Sequence, residues 1–247
     1  AEKIGVTKKD SVIEVEVLEN CLRDDLDQVS YRALAVLKPL KVIIENWPAE
    51  QVLEIQAQNH PKNPEMGKRT LYFTKEIFIY HEDFSETPPA DFIRIKPGGE
   101  VRLRNAYIIK CVGIDKGPDG QVLSLRATCD HETLGKNPGD GRKVKGIVHW
   151  VSVTHSFQAE IRLFDRLMSV PDPENVPEGK DFTMHLNPHS LEVVRKAQLE
   201  LSLKNAKIDQ RFQFERVGYF CPDSVDHSVD HPVFNLVVSL KDSYKKE

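Results

Sequence analysis

Between Asp140 and Ser152 the sequence DGRKVKGIVHWVS sets Arg142, Lys143 and Lys145 in a glycine-punctuated stretch that runs into an apolar, strand-like tail. Three cations at the mouth of a rigid β scaffold suit contact with a phosphate backbone better than covalent chemistry. In the neighbouring run RLRNAY (102–107), two-residue alternation turns Val101 and Leu103 inward and puts Arg102 and Arg104 together on the outer face. The same alternation sets Gln213 and Glu215 outward, with Phe212 and Phe214 on the core side.

Fixed polar groups on rigid strands meet the needs of an unstacked base, whose Watson–Crick edge is read by hydrogen bonds. Glu215 could accept from the N–H of uracil, while an arginine or the Gln213 amide donates to its carbonyls. Cytosine and guanine carbonyls suit arginine equally well. Taken alone, however, each pair is also what most solvent-facing strands display.

A second cluster, Cys221-x5-His227-x3-His231 with Asp223, Asp226 and Asp230, contains the elements of a zinc or metal-hydrolase site. All of them fall in one short segment rich in Pro, Ser and Asp, with a single thiol, so a solvated hairpin loop is the expectation. Ser228, Asp226 and His231 do not form a triad, because no nucleophile elbow surrounds the serine. The glycine-rich stretch 135–146 lacks the spacing of a phosphate-binding loop. Tyr107, Trp150, Phe157 and Phe164 read as core rather than as base-stacking platforms.

The elements that must hold these residues are mostly strands. Expected strands are 33–36, 42–46, 69–73, 77–80, 101–112, 122–128, 147–153, 160–163, 182–185, 212–219 and 233–240. Gly117-Pro-Asp-Gly120 supplies a turn. Strands recur every 8–15 residues without βαβ alternation, which argues for antiparallel barrels. A helix ends the first thirty residues, opened by a capping box from Ser11 and carrying Leu18, Cys21, Leu22 and Leu26 on one face. Short helices are expected near Ser85 or 130–134 and at 163–168, and a soft boundary falls within 156–177.

The 247 residues suffice for one large or two small domains. A net charge of −4 gives no global case for nucleic acid. From Phe92 to Lys145, however, eleven Lys and Arg stand against six Asp and Glu, a basic face on an otherwise acidic chain. Four dispersed cysteines suggest no disulfide framework, and with no apolar run long enough to span a bilayer the expectation is a reducing cytoplasm.

The runs RALAVLKPLKVIIENW (32–47), NHPKNPEMGKR (59–69), EVRLRNAYIIK (100–110), DGRKVKGIVHWVS, EIRLFDRLMSVP (160–171) and FQFERVGYF (212–220) together resemble the C-terminal anticodon-binding region of glutaminyl-tRNA synthetases. The resemblance covers nearly the whole chain in order, including IGVTKKD at 4–10. It implies a mainly β fold of two tandem antiparallel β-barrels like the ribosomal 5S-RNA-binding protein. Residues 1–30 would end a helical connector, 31–155 form the first barrel, and 156–247 form the second with its last strands returning to the first.

The resemblance further implies that Arg32, Gln213 and Glu215 hold the middle anticodon base, a uracil, so the two ends of the chain must meet. Arg94 would read the third base, a guanine, Arg102 and Arg104 would flank the first, a cytosine, and Lys8 would contact RNA near the anticodon stem. The family pattern is broken at Ile93, where a lysine often stands, and at Lys62-Asn63. The His-Ile-Gly-His-like and Lys-Met-Ser-Lys-Ser-like signatures of the catalytic domain are absent, so this piece should bind tRNA(Gln) and catalyse nothing. ATP and magnesium would belong to the parent's catalytic domain. A monomer without DNA or membrane partners is expected. Alternatives at this point are a glutamyl-type or ribosomal RNA binder, and a metal-dependent hydrolase using Cys221, His227 and His231.

Overall fold

The structure, a computed structural model, describes residues 14–241. Its helix, Val15–Val29, has Glu14 as an N-cap that makes no side-chain capping bond, and Ser11 and Lys8 lie outside the described residues. Leu22 and Leu26 pack on Tyr219 and Val238, and Arg23 Nε donates to the carbonyl of Ser239 at 2.8 Å, which fixes the helix to the last strand.

Two seven-stranded sheets each curl until they nearly close. One has the order Tyr31–Ala33, Phe212–Phe214, Gly218–Pro222, Val233–Ser239, Ser156–Phe164, Leu191–Glu200, Ala35–Val36. The other runs Ile147–Val148, Glu100–Leu103, Ile108–Lys116, Val122–Asp130, Pro39–Ile44, Glu76–Tyr80, Trp150–Ser152. In each sheet the two edge strands are consecutive pieces of one segment, interrupted by a single residue, Leu34 or His149. Closing a sheet on one bent segment removes the exposed edges that an open sheet would present. The bend at Leu34 leaves an amide without a ladder partner, and Glu200 Oε2 accepts from it at 2.8 Å.

Alternation does the rest. Pro39–Ile44 and Glu100–Leu103 bury every second residue, and the buried rows merge into one apolar core. Trp47, Tyr107 and Trp150 surround Phe73, with ring centroids 4.7–5.4 Å away. Phe214 stacks on Phe220 in the other barrel, at 4.3 Å. A separate ribbon pairs Leu53–Gln58 with Lys68–Phe73.

Several sequence expectations are corrected. The expected strand 101–112 is two strands, broken where Asn105 takes a φ of 61°. Residues 182–185 form a 3-10 turn instead of a strand, because Asp181 Oδ1 accepts from the Thr183 amide at 2.8 Å and starts a turn. No helix forms at 163–168, where the strand Ser156–Phe164 ends and Met168 bridges to Leu186. Phe164 is exposed rather than core. Leu53–Gln58 and Leu191–Glu200 are additional strands.

Candidate nucleic-acid interface

The strands Tyr31–Ala33 and Phe212–Phe214 run in parallel, with Arg32 directly opposite Gln213. The two ends of the chain therefore do converge. Arg32 is not open, however. Its Nη2 donates to Asp27 Oδ1 at 2.5 Å, its Nη1 donates to the Ser30 carbonyl at 3.1 Å, and the residue is 7% exposed. Asp27 also accepts from Lys62 Nζ at 3.1 Å, so the 59–65 loop is drawn to the same carboxylate.

Two residues beyond Gln213, Glu215 crosses to the other barrel. Its Oε2 accepts from Arg104 Nε at 2.8 Å, and its amide donates to the Ala33 carbonyl at 3.1 Å. His149 Nε2 lies 3.5 Å from the same carboxylate, and the buried Arg69 Nη2 lies 3.6 Å from Oε1. Burial works to raise the Glu215 pKa, but the His149 hydrogen bond and the charges of Arg104, His149 and Arg69 outweigh it and hold the carboxyl below its ordinary value. His149 itself is pushed down by burial.

A cleft of about 460 Å³ opens at this seam, lined by Arg94, Arg104, Lys145, Gln213, Glu215 and Arg216 among others. A second basic cleft of about 540 Å³ shares Ile93, Arg94 and Lys145 with it and continues past Lys96, Lys110 and Lys143. The two make one groove, walled by cations and floored by a fixed carboxylate. Gly146 is required at their junction, since a Cβ there would sit 1.9 Å from the Ile93 carbonyl oxygen.

The expected site residues thus divide. Arg94, Arg104, Lys145, Gln213 and Glu215 gather in one cleft, and Lys143 is exposed beside it without an ion pair among the described residues. Arg102 instead donates to the carbonyls of Ala106, Thr133 and Lys136 at 2.7–3.3 Å, stapling the loop after Asp130. Arg142 is enclosed by three carboxylates: Asp130, Asp140 at 2.5 Å and Glu100 at 3.0 Å. Its hydrogen bonds to Asp130 and Asp140 raise its pKa further.

Sequence reasoning did not single out Arg69, Asp83, His149 or Arg216. Arg69 is buried with Glu200 at 2.7 Å, and nothing local marks either as an ion-pair partner. Burial raises the Glu200 pKa despite that pairing. Arg216 has a φ of 72°, a left-handed turn position that alternation does not reveal.

The cysteine–histidine segment is the connection of an antiparallel hairpin between Gly218–Pro222 and Val233–Ser239. His227 Nδ1 accepts from the Val233 amide at 3.1 Å, and Arg162 spans Glu160, Asp223 and Asp226. Among the described residues no group of three His, Cys, Asp or Glu side chains is arranged to hold a metal ion. Nor is any described helix long and apolar enough to cross a membrane.

Fold and groove together define a two-barrel β module with a basic, hydrogen-bonding seam. Residues 30–130 and residues 147–223 each match a family described as "tRNA synthetases class I (E and Q), anti-codon binding domain", and the chain belongs to this family. It is 48% identical over 242 residues to a glutamine–tRNA ligase of Tolumonas auensis, covering 98% of this chain and 43% of that protein. A Haemophilus influenzae glutamine–tRNA ligase is 49% identical over 242 residues, with 98% and 42% covered. One of Vibrio vulnificus is 47% identical over 245 residues, with 99% and 43% covered. The chain therefore spans less than half the length of the curated relatives it matches.

Proposed function

We propose that this chain reads the anticodon of tRNA(Gln) as the anticodon-binding part of a glutamine–tRNA ligase. The observation that carries the reading is the convergence of Arg94, Arg104, Lys145, Gln213 and Glu215, from both barrels, on one cleft. Donors and an ionised acceptor on rigid strands suit unstacked bases, while exposed lysines suit the phosphates between them. In this reading Gln213 and Glu215, with Arg32 behind them, take the middle base. Arg94 takes the third base, and Arg104 the first. Lys143 and Lys145 meet phosphate, and Lys8 reaches the stem.

Arg102 and Arg142 support the site from behind through the carbonyls and carboxylates that already occupy them. The ligase chemistry, with its ATP and magnesium, belongs to the part of the relatives' length that this chain does not cover. The chain by itself is then an inactive, monomeric tRNA binder of the cytoplasm.

Binding to tRNA(Gln) and to a transcript altered only at the middle anticodon base, each at two salt concentrations, tests this. A mismatch should weaken binding by roughly tenfold or more at either salt. Equal binding to both, falling steeply with salt, would reduce the groove to a general polyanion surface.

A further inference from the structure

Arg94 and Arg216 come from different barrels and meet on one carboxylate, that of Asp83. Asp83 ends the 3-10 turn His81–Asp83 behind the strand Glu76–Tyr80 and is 1% exposed. Its Oδ1 forms an ion pair with Arg94 Nε at 3.1 Å and accepts from Arg216 Nη1 at 3.0 Å, and its Oδ2 accepts from Arg216 Nη1 at 2.8 Å. Its carbonyl accepts from the Ile95 amide at 2.9 Å, so the backbone beside Arg94 is held as well. A carboxylate this deep is stable only while such partners surround it.

The donors left over decide what Arg94 can do. Its Nε side is turned to the Asp83 carboxylate, 3.1 Å away, and its Nη1 donates to the Ile147 carbonyl at 2.8 Å. A guanidinium carries five N–H bonds, so one on Nη1 and both on Nη2 remain for the cleft. That outer edge is the one that addresses two acceptors at once, such as the O6 and N7 of guanine.

On the other barrel, the Val217 amide donates to the Phe214 carbonyl at 2.9 Å and closes a turn. The left-handed backbone of Arg216 sends its neighbour Glu215 toward Arg104, while Arg216 itself reaches Asp83 and lies 5.7 Å over the Tyr80 ring.

We infer that Asp83 is a positioning residue for anticodon reading. It fixes Arg94 with its outer edge in the cleft, and through Arg216 it joins third-base reading to the turn that carries Glu215. This rests on the anticodon reading above.

The test is the preference of the 247-residue chain for tRNA(Gln) over a transcript with adenine in place of the third anticodon base. It is measured for wild type, Asp83→Asn, Arg216→Ala, Arg94→Ala and the Asp83→Asn/Arg94→Ala pair. Asp83→Asn should lose about fivefold or more of the third-base preference and add nothing once Arg94 is alanine. Arg216→Ala should lower the same preference from across the seam. Preference at the first anticodon base should survive in all of them, which general loosening of the fold would not spare.

Undiminished third-base preference in Asp83→Asn overturns the inference. If that variant does not fold, undiminished preference in Arg216→Ala overturns it instead. A wild type indifferent to the third base would remove Arg94 from base reading altogether, and the inference with it. A discriminating wild type with discriminating variants would sink Asp83 alone.

Discussion

Glu215→Gln removes one charge at constant volume from the point where the barrels meet, and its cost can be worked from the contacts. The pair with Arg104 is partly screened, because Arg104 is 41% exposed, and is worth about 0.5–1 kcal/mol. Arg69 is different: its side chain is 5% exposed, and its Nη2, without a hydrogen-bond partner among the described residues, lies 3.6 Å from the Glu215 carboxylate. Leaving that nitrogen beside a neutral amide costs about 1–2 kcal/mol, less than a fully broken buried pair, because Glu200 still holds Arg69 Nε. The total of about 1.5–3 kcal/mol corresponds to a fall in Tm of roughly 3–12 °C for a chain of this size.

Because the Glu215 pKa is held below its unfolded value, its contribution is fully present above that value, about 4.3, and fades as pH falls through the lower folded one. Thermal unfolding followed by circular dichroism at pH 7 and at steps below pH 4 should therefore show a gap between wild type and variant that narrows on acidification. Tight binding should lose its preference for the native middle base at the same time. An unchanged Tm at pH 7, or a gap that does not narrow as pH falls below about 4.3, would refute the assignment of Glu215 as the charged link between the barrels.

Lys143→Ala should weaken binding to every tRNA alike and reduce the slope of log affinity against log salt by about 1. A slope equal to that of wild type would count against phosphate contact. Arg142→Ala should lower Tm and leave that slope unchanged, since its guanidinium is already enclosed by Glu100, Asp130 and Asp140; a reduced slope would show that it reaches RNA after all. Gly146→Ala should cost about 1–3 kcal/mol in urea unfolding, as the Ile93 carbonyl must move to admit the methyl group. The Asp223 carboxyl is lowered to about 2 by the amide of Asp226, the Asn235 side chain and the amide of Val225. Its contribution is present above the unfolded value, about 3.9, and is lost as pH falls toward 2, so Asp223→Asn should be less stable than wild type at pH 5 and similar to it near pH 2.

The strands most legible in the sequence are those with one dry face and one wet one. Pro39–Ile44 and Glu100–Leu103 alternate cleanly because each lies on the wall of a barrel. Leu191–Glu200 was not legible: its first six residues are exposed or half-buried on both faces, and only its last four reach the core. Pairing, not burial, makes that part of it a strand, since eight of its residues are opposite Ser156–Phe164.

The site divides along the same line. Alternation correctly turned Gln213 away from the core between Phe212 and Phe214, and Arg32 lies opposite it, whereas Glu215 falls past the end of that strand, in the turn. What sequence reading does not provide is the state of each cation. Arg142 and Lys143 are neighbours in a basic run, yet the first is satisfied by carboxylates 42, 12 and 2 residues away and the second by none among the described residues. Arg216 finds its partner 133 residues off, in the other barrel. A positive charge counted along the chain contributes to an anion-binding field only after its own carboxylates are subtracted, and those are assigned by the fold. The basic excess between Phe92 and Lys145 is therefore carried into the groove chiefly by lysines, which suit phosphate. The arginines are already oriented by Asp83 and Glu215, which is the condition under which a guanidinium distinguishes one base from another.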